Sequence, residues 1–166
     1  MNKRWVVLGI AAPTLAVLLG AGWWKSESIS PETSTVVSNP AIEVYKNPQC
    51  GCCGEWVSHL RAQGFAVTVH DVSDTIAIRE KHRVPVALGS CHTATIEGYV
   101  VEGHVSAADI RRLLKEKPAV VGLAVPGMPA GSPGMESSSP QAYQTLALLI
   151  TGATDVFADH PAVPMP

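Results

Sequence analysis

Three thiols fall within four residues in Gln49-Cys50-Gly51-Cys52-Cys53-Gly54, and the chain of 166 residues holds one other cysteine, Cys91, in Ser90-Cys91-His92. A buried structural cysteine usually stands alone as a small apolar filler, so this crowding points to a metal or redox site. The thiolate is both ligand and nucleophile, and its formation is favoured at a helix N-terminus, where free N–H groups point outward. A helix that begins between Gly51 and Gly54 would place all three sulfurs on its positive end. The two glycines let the backbone turn tightly and leave space beside the sulfurs.

The spacing separates the chemistries. Cys50 and Cys53 keep the two-residue interval of thiol oxidoreductases, but Cys52 is inserted between them, so disulfide chemistry stays open without being the whole account. A Cys52–Cys53 bridge between neighbours would be strained. Structural zinc favours two well-separated ligand pairs, which this pattern lacks. Three crowded thiolates and a distant fourth suit a soft ion such as Cu(I), and one sulfur bridging several ions would give a small polynuclear cluster.

Other residues are weaker candidates. His92 and His104 are candidates for outer ligands or for hydrogen-bond partners that orient thiolates, although histidines on the surface or beside turns are the commoner case and their spacing makes no strong argument. Met128 and Met135 lie in a Gly/Pro-rich stretch and carry soft thioethers, although hydrophobic plugging explains them slightly better. His59, His70, His82 and His160 have no partner at ligand spacing and read as surface residues. Trp56, Leu60, Ile110 and Leu113 recur at helical spacing and read as core.

These side chains need a scaffold. Ala41 to Tyr45 reads as a strand, and Cys53, Trp56, Val57, Leu60 and Gly64 define one helical face after the cysteine loop. That face turns Cys53 inward and leaves Cys50 and Cys52 nearer the loop, with Gly64 as the stop. A strand over Phe65 to Val69 follows, then a short helix capped by Ser73 or Asp74 and running through His82. Pro85 opens a strand over Val86 to Leu88, and Thr93 to Val105 reads as a hairpin. Ser106-x-x-Asp109 starts a helix carrying Ile110, Leu113 and Leu114. Val120 to Pro140 reads as loop, Tyr143 to Thr151 and Thr154 to Phe157 as a last helix or a strand pair, and Pro161 to Pro166 as a frayed end. The order is that of an α/β (three-layer α+β) thioredoxin-like domain over residues 41–160, in which Pro85 would be a cis-proline facing the cysteines.

Ahead of that domain, Lys3 and Arg4 precede twenty uncharged residues, Trp5 to Trp24. The run is long enough to span a bilayer, and the leading positive charges place the N-terminus in the cytoplasm and the rest outside it. Residues 1–24 therefore read as a signal-anchor or a signal peptide. Ala21-Gly22-Trp23 is a poor cleavage site, which favours the uncleaved anchor. Residues 25–40 are rich in Ser, Thr and Pro and read as a flexible linker. A net charge of −2 excludes a strongly basic nucleic-acid surface.

The chain resembles the CopG-type periplasmic copper-resistance proteins, bacterial thioredoxin-like proteins with a C-x-C-C loop. The resemblance rests on Tyr45-Lys46-Asn47-Pro48-Gln49-Cys50-Gly51-Cys52-Cys53-Gly54, Val84-Pro85 and Ser90-Cys91-His92-Thr93. It extends through Gly98 to Val105 and through Gly122 to Pro129 with Gly131 to Glu136. It implies copper binding in a multi-copper Cu(I) cluster, copper tolerance, and contact with other periplasmic copper-handling proteins, with a redox role on copper also considered for such proteins. By position, it implies the ligands Cys50, Cys52, Cys53 and Cys91. A straight strand from Pro85 would carry Cys91 roughly 20 Å away, so Leu88-Gly89-Ser90 must bend. The competing readings are an oxidoreductase in which Cys50 and Cys53 cycle between dithiol and disulfide, and a structural zinc module.

Overall fold

A computed structural model describes residues 39–163. The apolar run 5–24 and nearly all of the linker lie outside those residues. Among the described residues no helix is long and apolar enough to cross a membrane.

The elements are β1 (Ala41–Lys46), α1 (Gly51–Ala62), β2 (Ala66–Asp71), α2 (Ile76–Lys81), a 3₁₀ turn (Val86–Leu88), β3 (His92–Ile96), β4 (Tyr99–Gly103), α3 (Ala107–Glu116), β5 (Val120–Val125), β6 (Tyr143–Leu149) and β7 (Thr154–His160). They build an α/β fold around one mixed seven-stranded sheet of order β2-β1-β3-β4-β5-β6-β7. β1 pairs parallel with β2 and β4 with β5, and the other neighbours are antiparallel.

Apolar periodicity sets the packing. Ile42 and Val44 alternate inward on β1, and Cys53, Trp56, Val57 and Leu60 form the buried stripe of α1. They meet Ile110 and Leu113 of α3, with Ala94, Val101, Val105 and Leu123, in the main core. Burying each large side chain of this set stabilises the fold by about 1.5–3 kcal/mol. Trp56 also donates its indole N–H to the Val105 carbonyl at 2.8 Å, which ties α1 to the end of the β3–β4 hairpin. Ser106 caps α3 by accepting the Asp109 N–H at 3.0 Å. Gly64 closes α1 in the left-handed region at φ +81°.

Several expectations are corrected. Among the described residues every peptide bond is trans, Val84–Pro85 included, so Pro85 is not a cis-proline. Val86 to Leu88 is a 3₁₀ turn, with Leu88 N–H on the Pro85 carbonyl, because the place beside β1 is taken by β3. This turn supplies the bend that Cys91 needs. Val120 to Val125 is a strand rather than loop. Gly122 hid it, yet glycine is required there, since a Cβ would stand 1.8 Å from the Val100 carbonyl oxygen of the paired strand. The C-terminal alternative resolves to the strand pair β6–β7.

The histidines read as free surface residues are partly buried, and three are held by neighbours. His59 accepts the Ala107 N–H through Nε2 at 3.3 Å. His70 pairs with Glu43 and stacks on Tyr45. His160 meets the Asp109 carboxylate at 2.9 Å.

Candidate metal centre

Cys50 is the N-cap residue of α1, and Cys52 and Cys53 lie in its first turn. No side chain caps that helix end and no acidic residue stands in its first turn. The N–H groups of that helix end are therefore left without a side-chain partner beside the cysteines, at the end of a helix where an anion is favoured. Cys53 is fully buried while Cys50 and Cys52 are half-buried, matching the helical phase of the sequence.

Cys50 and Cys53 form a disulfide. Cys52 Sγ lies 3.5 Å from Cys50 Sγ, 3.8 Å from Cys91 Sγ and 3.9 Å from the thioether of Met128. The Sγ atoms of Cys50, Cys52, Cys53 and Cys91 all lie within 4.8 Å of one another. The four cysteines thus converge although Cys53 and Cys91 are 38 positions apart in the chain.

Cys91 also brings nitrogen donors. His104 Nε2 lies 3.1 Å from its sulfur and His92 Nδ1 3.4 Å. His104 Nδ1 donates to the Pro133 carbonyl at 2.8 Å, which fixes its proton there and turns the Nε2 lone pair to the sulfur. His92 and His104 are both buried, with rings edge to face at 4.9 Å, and His92 packs on Trp56. His92 Nε2 finds no hydrogen-bond partner among the described residues. Burial first, then His104, lowers the His92 pKa to about 3, so its ring is neutral and able to ligate. Burial also lowers His104, against the pull of the Pro133 carbonyl and Glu136. Burial, and then the Cys52 sulfur, pushes the Cys91 thiol up to about 12. A proton on that sulfur must leave before it can bind a cation.

The donor set fits a soft metal ion: sulfur at every contact of Cys52, neutral imidazole behind Cys91, and no carboxylate among the groups gathered there. Met128 is half exposed and touches Cys52, so it rims the centre rather than plugging a core. Met135 forms no hydrogen bond with the cysteines among the described residues, and its backbone N–H donates to the Ser132 carbonyl at 2.8 Å.

The loop after β5 carries more than its methionines. It closes over the centre through Pro133 and Gly134, whose packing is so tight that a Cβ there would lie 2.6 Å from Trp56 N. The glycines that permit this approach were visible in the sequence, but the partner they approach was not.

Comparison with known proteins follows the same residues. Residues 88–135, from the 3₁₀ turn to the loop after β5, match the family described as "Protein of unknown function, DUF411". Two solved structures, titled as Form 2 and Form 1 of the copper resistance protein CopG, are each 48% identical to the chain with a TM-score of 0.71. Form 2 covers 74% of this chain and 99% of its own, and Form 1 covers 75% and 99%. No curated protein sequence matches the chain.

Proposed function

The chain belongs to the copper resistance protein CopG family, and from that premise we propose that it holds Cu(I) in a cysteine-thiolate cluster and protects the periplasm from copper. The convergence of Cys50, Cys52, Cys53 and Cys91 within 4.8 Å carries this reading. Copper is the cargo. Two electrons from a dithiol reductant open the Cys50–Cys53 bond, and four thiols then face one space at the positive end of α1. Each loses its proton as the cation enters. Cys52, in contact with Cys50, Cys91 and Met128, is the bridging ligand. Several Cu(I) ions share the four sulfurs, because a thiolate can bridge and one Cu(I) needs no more than two or three of them.

The thioredoxin-like reading of residues 41–160 is supported by the order β2-β1-β3-β4, with β1 and β2 parallel and β3 antiparallel to both β1 and β4. Residues 5–24 anchor this domain at the outer face of the inner membrane, and residues 25–40 give it reach toward other copper-handling proteins. That placement is supported by the apolar run and its leading charges.

The test is metal stoichiometry on the reduced full-length chain, loaded anaerobically with Cu(I). Three or more coppers per chain, lost when the cysteines are replaced, is the expected result. One copper or none, with zinc retained, would instead favour a zinc module. The Cys50–Cys53 disulfide supports a second reading, a thiol oxidoreductase. Insulin reduction by the metal-free form alone would favour it.

A further inference from the structure

Glu102 is fully buried on β4, a strand whose other residues are apolar or glycine apart from Tyr99. A carboxylate there is costly unless every lone pair is used. Its two oxygens are used on a single short segment. Oε1 accepts the Ser90 backbone N–H at 2.6 Å, and Oε2 accepts the Thr93 hydroxyl at 2.6 Å. Cys91 and His92 lie between those two anchor points. Arg79 of α2 reaches Oε1 at 3.5 Å and is itself held by the Thr75 hydroxyl, which accepts from Nε at 3.1 Å and Nη2 at 2.6 Å.

Ser90 extends this hold to the far rim of the centre. Its hydroxyl donates to the Gly127 carbonyl, and the next residue is Met128, whose sulfur touches Cys52. One anchored residue thereby fixes Cys91 on one side and Met128 on the other. An apolar side chain at position 102 would serve the sheet as well and would fix neither.

We propose that Glu102 is a positioning residue of the metal centre: its carboxylate, backed by Arg79, clamps Ser90 and Thr93 so that Cys91 and Met128 meet Cys52. The proposal rests on the metal-binding reading above, but its geometric half does not need metal to be tested.

The experiment compares wild type with Glu102→Gln in the reduced, metal-free full-length chain. Cys91 alkylation by iodoacetamide is read site by site by mass spectrometry, with Cys52 as internal reference, and Cu(I) affinity is read by chelator competition. A neutral amide accepts more weakly from Ser90 and leaves Arg79 without its anion. The Cys91-to-Cys52 alkylation ratio should rise about fivefold, the equivalent of one lost hydrogen bond. Cu(I) affinity should fall about 10–100-fold, as for other residues that orient ligands. A variant with a lowered melting temperature but an unchanged ratio and affinity would make Glu102 a structural residue only and overturn the proposal. Thr93→Val removes one hydroxyl donor and decides the matter if Glu102→Gln fails to fold: the ratio should rise about two- to threefold, and no rise would overturn it. A wild-type chain that takes up no copper would sink the metal-binding reading, while the alkylation ratio would still decide for or against the clamp.

Discussion

At the β6–β7 end of the sheet, Asp109, Thr145 and His160 close on one another, whereas around Cys91 the polar atoms face a shared space. Asp109 Oδ2 accepts from the Thr145 hydroxyl at 2.8 Å and from His160 Nε2 at 2.9 Å, and Tyr143 stacks on the His160 ring at 4.4 Å. Burial, then the Asp109 charge, pushes the Tyr143 hydroxyl up to about 12, as befits a site that already holds its one anion. At the sulfur end, by contrast, the side chains closest to the Cys52 and Cys91 thiols are other cysteine sulfurs, a thioether and imidazoles, and His92 Nε2 has no partner among the described residues. A cluster that satisfies itself is a fastening. A cluster of converging donors left unsatisfied is completed by something from outside. That difference assigns stability to the first region and chemistry to the second.

Replacing Cys52 with Ser is the sharpest way to break the comparison. It should weaken Cu(I) binding about 100-fold or more, roughly 3 kcal/mol, with the melting curve unmoved. Unchanged stoichiometry by chelator competition would deny the sulfur end its role. Asp109→Ala should do the reverse. It strands Thr145 and His160 and should cost about 2–3 kcal/mol in denaturant unfolding while leaving copper uptake alone. Loss of copper in that variant would mean that the two ends are not separable.

Gly134→Ala should affect both properties. The added Cβ meets Trp56 N at 2.6 Å and φ is +82°, so about 1–2 kcal/mol of stability should go. Copper binding should weaken with it, because the displaced Pro133 carbonyl no longer orients His104.

The smallest effect concerns His59, which supports α3 from α1. Burial, opposed by the Glu136 charge, lowers its pKa in the folded chain. The fold therefore favours the neutral ring, so the stabilisation is present above the ordinary value near 6.5 and is lost as pH falls below it. His59→Gln should flatten that part of the stability profile, and an unchanged acid slope would remove His59 as its cause.

The sulfur end was the more legible region in the sequence. The C-x-C-C loop, the buried stripe of α1 and the Ser106 cap are local patterns, each readable within a dozen residues. The bend before Cys91 follows from the rise of an extended strand once the resemblance sets Cys91 among the ligands. What stayed hidden is non-local. Gly122 looks like loop until Val100 is placed against it. Val86 to Leu88 looks like strand until β3 takes its neighbour's edge. Glu102 reads as an ordinary charged residue of a hairpin until Ser90 and Thr93 close around it. Periodicity reports which face a residue takes, but not which distant backbone will press on it.

The disulfide at the head of α1 joins cysteines only three positions apart. Closing so short a ring removes little freedom from the unfolded chain, worth about 2 kcal/mol at most in the loop-entropy account. The bond is therefore a poor brace, and the folded chain can gain or lose it with modest change in its stability. Such a link suits a reversible cover over the sulfurs: shut, it withholds two of the four from any cation, and opened, it releases them into a scaffold that is already folded.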